Sequence, residues 1–383
     1  MVTILLHKSK QPAIITSIAL ALILPTPHTV HAGPPGLPTS VSNPLEIPRR
    51  GEMVEVDWAG VRSRLPDIQA EAVTVLDDDR PIPTQVVRTD SRATLLFRAD
   101  FAARETRRFT ITSDNPIADE PRARALFVEH PDLDFMAWEN DRIAFRLCEK
   151  RLVSSGVDVW AKRVTRPILD SMSKRDYHVD NGEGVDCYKV GEGRGCGGFG
   201  IWRDGKLHVL RNFKSYKILA EGPLRTVIEL TYAPWDTGGI QAGEVKRISL
   251  DAGSQLNRIE SRLDFAGTET LTAVAGLTVP KAAATTQREK DGWAAVWQTT
   301  DGKENGMLGI GLVATDRKIV KWEPSEARIL ILLPVTAGKT LVYHAGAGWS
   351  KHGFADAAAW NDYLEGFARR LASPLKIELP ASP

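Results

Sequence analysis

Residues 224–265 read LRTVIELTYAPWDTGGIQAGEVKRISLDAGSQLNRIESRLDF, and their spacing decides the fold. Three runs, LRTVIELTYAP, EVKRISLD and NRIESRLDF, have strand length, and Ile228-Glu229-Leu230-Thr231-Tyr232 alternates apolar with polar side chains. A strand sends successive side chains to opposite faces, so alternation of this kind marks a sheet with one face in a core. Working outward, ENDRIAFRL, VDVWAKRV, KLHVLRNF and YKILAEG precede these runs and also read as strands. LTAVAGLTV, AAVWQTT, GMLGIGLVA, ARILILLPV and TLVYHAGAG follow and fit the same pattern. A dozen strands separated by turns, with almost no helix, predict an all-β chain whose residues 123–380 form a large antiparallel two-sheet sandwich.

Upstream, MVEVDW, AVTVLD, TQVVR, ATLLFRA and RRFTITS predict a small β-sandwich over residues 43–113. Gly33 to Ser42 reads as a Pro/Gly/Ser linker, and residues 114–122 as a second linker into the large domain. One helix is expected, at the C-terminal end. Residues 356–371 put Ala359, Trp360, Tyr363, Leu364, Phe367 and Leu371 on one helical face.

The first 32 residues predict an export signal. Lys8 and Lys10 form a short basic region, Ala13 to Leu24 an apolar core, and Val30-His31-Ala32 a small-residue cleavage site. Localisation is therefore expected to be periplasmic or extracellular. No later run approaches the roughly 18 apolar residues of a membrane-spanning helix, so no integral membrane segment is expected after cleavage. The leader holds two of the 49 basic residues and none of the 48 acidic ones, leaving 47 against 48. A near-neutral chain lacks the cationic stripe that neutralises phosphates, which argues against nucleic acid as a partner. Nucleotide cofactors are not expected either. GRGCGGFG at 193–200 follows no strand-then-helix pattern, and no other phosphate-binding fingerprint is present.

The chemistry concentrates in residues 176–200, DYHVDNGEGVDCYKVGEGRGCGGFG. Eight glycines carry Tyr177, His178, Asp180, Glu183, Asp186, Cys187, Tyr188, Arg194 and Cys196 with no hydrophobic periodicity. Titratable side chains on a loop held by a rigid scaffold are what a polar active site needs. Lys174 and Arg175 open the loop and would attract an anionic sugar. A Cys187–Cys196 disulfide would close it, with Cys148 left over; the spacing is not that of a zinc site. Asp180, Glu183 and Asp186 are hard oxygen ligands, so a structural calcium ion is conceivable, without an EF-hand pattern.

Two further segments supply candidate partners. KLHVLRNFKS puts His208, Leu210 and Asn212 on one strand face. YHAGAGWSKHGF reads as a second Gly-rich loop, flanked by His344 and His352, where Trp349 and Phe354 could stack on a sugar ring. The mature chain retains all ten tryptophans, a residue that carbohydrate clefts favour. Glu139 and Asn140, at the entrance to a strand, are candidates to line a cleft or to make a turn.

NPLEIPRRGEMVEVDW, AWENDRIAFR, SSGVDVWAKRV, the 176–200 stretch, DAGSQLNRIESR and YHAGAGWSKHGF together resemble a secreted bacterial domain-of-unknown-function family (DUF 4861) whose members occur with polysaccharide-degradation enzymes. The resemblance runs from about Asn43 to Leu375. It implies that the large domain is similar to the galactose-mutarotase-like supersandwich of aldose epimerases and several polysaccharide lyases. Fold alone does not fix a reaction.

Four functions follow as expectations, all with an oligosaccharide or polysaccharide partner. The leading one is β-elimination on uronic-acid-containing oligosaccharides. Arg175, Arg194 or Asn212 would neutralise the carboxylate, His178 or His208 would remove the C5 proton, and Tyr177 or Tyr188 would protonate the leaving oxygen. Asp180, Glu183, Trp349, His344 and His352 would line the substrate. A glycoside hydrolase would instead pair Asp180 with Glu183 or Asp186. An aldose 1-epimerase or a noncatalytic glycan-binding protein completes the set, and the sequence leaves the choice among them and the oligomeric state open.

Overall fold

The computed structural model describes residues 36–90, 92–113, 119–129, 134–148, 156–191, 193–209, 212–314, 321–325 and 327–381, with 321–325 as backbone only. The expected leader, part of the second linker, His130, and Leu210 of the His208 strand lie outside the described residues.

Strands dominate, as the alternation predicts. The N-terminal unit packs two antiparallel sheets. One has five strands in the order Lys376–Glu378, Leu37–Ser42, Thr106–Thr112, Thr74–Asp77 and Arg80–Ile82. The other has three, with Arg92–Phe101 between Arg49–Asp57 and Thr84–Thr89. Val41, Val54, Val56, Leu95, Phe97, Phe109 and Ile111 fill the space between them. Leu96 points the other way, into a cluster with Val87, Leu224 and Val227. The three-stranded sheet is therefore buried on both faces, which is why Leu95, Leu96 and Phe97 run without a polar break.

Leu37–Ser42 corrects the linker reading of Gly33 to Ser42. It is a strand, paired with Thr106–Thr112 on one side and Lys376–Glu378 on the other. Leu37, Thr39 and Val41 point inward, a period-2 pattern that the proline and serines between them disguise.

The large sandwich has an eight-stranded antiparallel layer. Its order is Ser215–Ala220, Arg225–Asp236, Gln241–Asp251, Leu256–Phe265, Thr340–Trp349, Met307–Val313, Trp293–Thr299 and Ala284–Arg288. Two five-stranded sheets oppose it, one centred on Thr270–Thr278 and one on Ile143–Cys148. Val157 and Gly195 bridge these two, and the Cys196 N–H donates to the Val157 carbonyl at 2.9 Å. Ile228, Leu230 and Tyr232 enter the common core with Trp138, Phe145, Val159, Phe199 and Ile310. Glu229, on the opposite face, instead pairs with Lys217 and Arg247. One polar pair, Glu244 and Lys246 at 3.5 Å, also sits inside, with the Lys246 ammonium over the rings of Phe199 and Tyr232.

The C-terminal helix spans Ala357–Ala372 and starts on an Asp356 side chain that accepts from the Ala359 N–H at 2.9 Å. It buries Trp360, Leu364 and Ala368 against the outer face of the eight-stranded layer. Glycines make that approach possible. A Cβ on Gly309 would come within 2.7 Å of the Trp360 ring, and one on Gly311 within 2.7 Å of Leu364. The Gly-rich stretch 344–349 is the end of a strand interior to the sheet, as the run TLVYHAGAG predicts, and not the start of the loop read from YHAGAGWSKHGF. Its glycines are small because Phe354 and the neighbouring strand lie against them: a Cβ on Gly348 would meet Phe354 at 2.5 Å and one on Gly346 would meet the Gln255 carbonyl at 1.9 Å.

Candidate functional site

The site is built on the outer face of the sheet formed by Arg124–Val128, Phe135–Glu139, Ile143–Cys148, Asp158–Lys162 and Gly184–Asp186. Register puts Arg146 opposite Asp158, and Trp160 opposite both Ala144 and Asp186. Paired residues share a face, so Arg146, Asp158, Trp160 and Asp186 project together, away from the sandwich core. Residues 163–183 fold back over them. Ile168, Leu169 and Met172 close against Phe135, Ala137, Ala144 and Trp160.

A buried ion pair anchors the start of this cover. Lys162 and Glu139 pair with neither side chain exposed, and Lys162 also donates to the Asn140 carbonyl at 2.6 Å. Glu139 accepts the Ile168 and Leu169 N–H groups at 2.8 and 2.9 Å. Asn140 binds the Asp251 and Ser254 carbonyls, at 2.5 and 2.7 Å. These two candidates thus hold the scaffold, and neither lines a cleft.

Under the other end of the cover lies a charged cluster. The Arg146 guanidinium reaches the Asp158 carboxylate through both Nε, at 3.0 Å, and Nη2. Nη2 also reaches Asp186 at 3.0 Å. The guanidinium carbon sits 4.9 Å from the Tyr177 ring and 5.3 Å from that of Trp160, and these two rings stack at 5.1 Å. The Asp186 N–H donates to the Tyr177 carbonyl at 2.8 Å. His178 follows at the surface. Its side chain is 62% exposed, with Nδ1 3.4 Å from the Asp186 carbonyl oxygen and 3.8 Å from Asp186 Oδ2.

One guanidinium serves two buried carboxylates. Burial raises the Asp186 carboxyl first, and the neighbouring Asp158 charge adds to it. Arg146 and the Tyr188 backbone N–H pull the other way, and the outcome is about 8. Burial also raises Asp158, against Arg146. Both carboxyls are therefore raised towards their protonated forms, behind an exposed imidazole.

The other loop carboxylates behave oppositely. Asp180 accepts from Arg163 Nε and Nη2 at 3.0 and 2.6 Å and from the Gly182 N–H at 2.9 Å, and is held low. Glu183 takes hydrogen bonds from Asn181, Arg166 and Ser171, which bring it down to about 2. Arg175 is spent within the loop, on the Val179 carbonyl at 3.2 Å and on Glu183 at 3.7 Å.

Two neighbouring turns border the cluster. The Asp301 N–H donates to the Cys187 carbonyl at 2.9 Å, and Lys189 pairs with Asp301 at 2.8 Å. Arg163 lies 4.6 Å over the ring of Trp349, and Lys351 6.0 Å from it. Trp349 itself is 2% exposed and donates Nε1–H to the Asn305 carbonyl at 2.7 Å, so it offers no free face for stacking. His352 is half-buried in the same turn, its N–H on the Trp349 carbonyl at 3.1 Å.

The remaining candidates go elsewhere. Tyr188 turns inward into the common core, where burial pushes its hydroxyl well up. Arg194 is buried, donates to the Phe199 carbonyl at 3.3 Å, and is brought down to about 10 by burial and by Arg328. His208 sits on the edge strand Lys206–Val209 against Gly238, and Asn212 is half-buried before Ser215–Ala220. His344 faces the C-terminal helix, edge-on to Phe367 at 5.2 Å. The expected Cys187–Cys196 disulfide is corrected: all three cysteines are free thiols. Cys196 starts a strand and donates Sγ–H to the Gly346 carbonyl at 3.0 Å, whereas Cys187 follows a different strand and is pushed up to about 12 by burial. Among the described residues, no three His, Cys, Asp or Glu side chains gather as a metal site.

Arg146, Asp158, Arg163, Asp301 and Lys351 were not singled out from the sequence. A signal existed for two of them. IAFRL places Arg146, and DVWAK places Asp158 and Lys162, in otherwise apolar strands, and a charge with apolar neighbours on both faces must be buried and paired.

The chain is 29% identical over 376 residues to "Uncharacterized protein P7" of Formosa agariphila, covering 89% of this chain and 92% of that one. Among solved structures it is similar to a glycosyl hydrolase family 38 protein and an alpha-mannosidase, both from Enterococcus faecalis, each at 9% identity over 91% of this chain. Their TM-scores are 0.48 and 0.45, and the chain spans about half the length of each, 48% and 46%. Likeness at that level says nothing of the reaction. The family model described as "Domain of unknown function (DUF4861)" matches residues 41–377, nearly the whole of the described chain, and the protein therefore belongs to that family.

Proposed function

We propose that the protein is an exported carbohydrate-active enzyme that cleaves uronic-acid-containing oligosaccharides by β-elimination, with His178 as the group that moves the proton. The observation that carries this reading is the exposed imidazole of His178 lying 3.8 Å from a buried carboxyl, Asp186, raised to about 8. Such a carboxyl can hold or release a proton near neutrality and orient the ring in front of it, as general acid–base chemistry needs. Lys351, on an adjoining turn beside the Trp349 ring, supplies positive charge for a substrate carboxylate, a role for which Arg175 and Arg194 are already engaged and for which Lys189 is matched by Asp301. Tyr177, between His178 and Trp160, remains the candidate acid for the leaving oxygen.

Two alternatives draw less support. Hydrolysis by Asp180 and Glu183 needs one of them protonated, yet Arg163 holds Asp180 low and hydrogen bonds from Asn181 and Arg166 hold Glu183 low; in the other pairing, Asp180 with Asp186, the Asp186 carboxyl is buried away from a substrate. An aldose 1-epimerase needs its acid and base across a sugar ring, whereas His178 and Asp186 are too close to admit one.

Product analysis tests the reaction class. Incubation with uronate oligomers should yield a 4,5-unsaturated product that absorbs in the near ultraviolet. New reducing ends without that chromophore would refute elimination.

A further inference from the structure

A cleft of about 430 Å³ opens between the small N-terminal sandwich, the eight-stranded layer and the C-terminal helix. That volume lies in the range of small-molecule sites. Its wall is apolar where Met53, Leu256 and Phe367 line it, and charged elsewhere. Arg49, Arg50, Arg225, Arg258 and Arg370 face Glu52, Glu55 and Asp251, so cations exceed anions by two. The acids are already matched. Arg49 and Arg370 take Glu52, and Arg225 takes Glu55 and Asp251. Arg50 is exposed, and Arg258 is half-exposed, with Nη1 on Glu260, outside the cleft, at 2.5 Å and its charge also acting on Glu55.

At the floor stands His344, 6% exposed, with an Nδ1 that has no hydrogen-bond partner. A buried polar atom without a partner is costly, so it marks a place where a ligand or solvent atom is wanted. Burial and the nearby Arg258 charge keep the ring neutral, down at about 3. A neutral imidazole offers one donor, and a guanidinium offers a planar fork suited to a carboxylate.

We propose that this cleft binds a small organic carboxylate, with its charge on Arg258, a hydrogen bond from His344 and its apolar face on Phe367 and Leu256. The site is separate from the His178 cluster and does not depend on the proposed elimination. Nothing covalent happens in it; the role is binding.

Calorimetric titration of the full chain with glucuronate, glucose and inorganic phosphate tests it. Glucuronate and glucose differ in the carboxylate, and glucuronate is expected to bind at least tenfold more tightly than either competitor. Arg258→Gln, on a half-exposed side chain, should weaken glucuronate at least tenfold and leave the melting temperature in place. Arg50→Gln should weaken it less, and His178→Ala not at all. Equal binding of glucose, tighter binding of phosphate, undiminished binding by Arg258→Gln, loss on His178→Ala, or no binding of glucuronate would each overturn the proposal.

Discussion

The Nδ1 atom of His178 lies 3.8 Å from Oδ2 of Asp186, the first at the surface and the second buried. The strand Gly184–Asp186 sets this relationship. It pairs with Asp158–Lys162 so that Asp186 shares Arg146 with Asp158, and it holds the Tyr177 carbonyl on its own N–H. Burial and the neighbouring Asp158 charge raise the Asp186 carboxyl in this position.

That rise has a consequence for stability. Asp186 is raised from an ordinary 3.8 to about 8, so the folded protein binds a proton that the unfolded chain releases above the ordinary value. The stabilisation is full below the unfolded pKa and is lost as pH rises through about 8. One such group contributes a slope of at most roughly 1.4 kcal/mol per pH unit. Asp186→Asn should flatten the fall in stability across this window, measured by denaturant unfolding at a series of pH values. An unchanged slope would mean that the Asp186 carboxyl is not raised in the folded protein.

His344 gives the opposite limb. Its folded value, about 3, lies below the ordinary 6.5, so its contribution is present above the unfolded value and lost as pH falls through about 3. His344→Phe is expected to reduce the acid-side loss of stability between these values. A steeper acid limb in the variant would contradict a neutral buried ring.

Lys162→Met leaves the buried Glu139 carboxyl group with only the Ile168 and Leu169 N–H groups for company. Removing one partner of a buried pair costs about 3–5 kcal/mol. Because Glu139 ties down the start of the 163–183 cover, hydrogen exchange at Ile168 and Leu169 should rise as well. A loss under about 1 kcal/mol would show that the pair is not needed.

Gly346→Ala probes why the strand Thr340–Trp349 is glycine-rich. The new Cβ would fall 1.9 Å from the Gln255 carbonyl, against backbone that cannot step aside. Overpacking of this kind costs about 1–3 kcal/mol or more, and circular dichroism melts should show it. Gly239→Ala, with open space around its Cβ but a left-handed backbone at φ 88°, should cost less.

Much of the fold is legible because burial writes itself as period 2. Ile228, Leu230 and Tyr232 point inward and Glu229 outward, and the Trp360–Leu364–Phe367 spacing is that of the helix it forms. The pattern fails where a small or cyclic residue has a packing reason. Leu37–Ser42 resembles a linker through its proline and serines, and 344–349, a strand end within TLVYHAGAG, also resembles a loop because glycine is what fits under Phe354 and the neighbouring strand.

The site is only half legible for a related reason. Tyr177, His178 and Asp186 stand in a dense polar stretch and come together. Cys187, Tyr188, Arg194 and Cys196, from the same stretch, are drawn into the core as the chain re-enters a strand. Partners such as Arg146 and Asp158 come from strands whose pairing, rather than their spacing, brings them to one face.

The most direct test is the rate of near-ultraviolet chromophore release from uronate oligomers by the full chain and by His178→Ala, each checked for an intact melting transition. General acid–base groups contribute about 10²–10⁴-fold. We expect turnover by the parent chain and a loss of at least 100-fold in His178→Ala, with the fold unchanged. Equal rates in the two proteins, or no chromophore from the parent chain, would contradict His178 as the proton-transfer group of an eliminating enzyme.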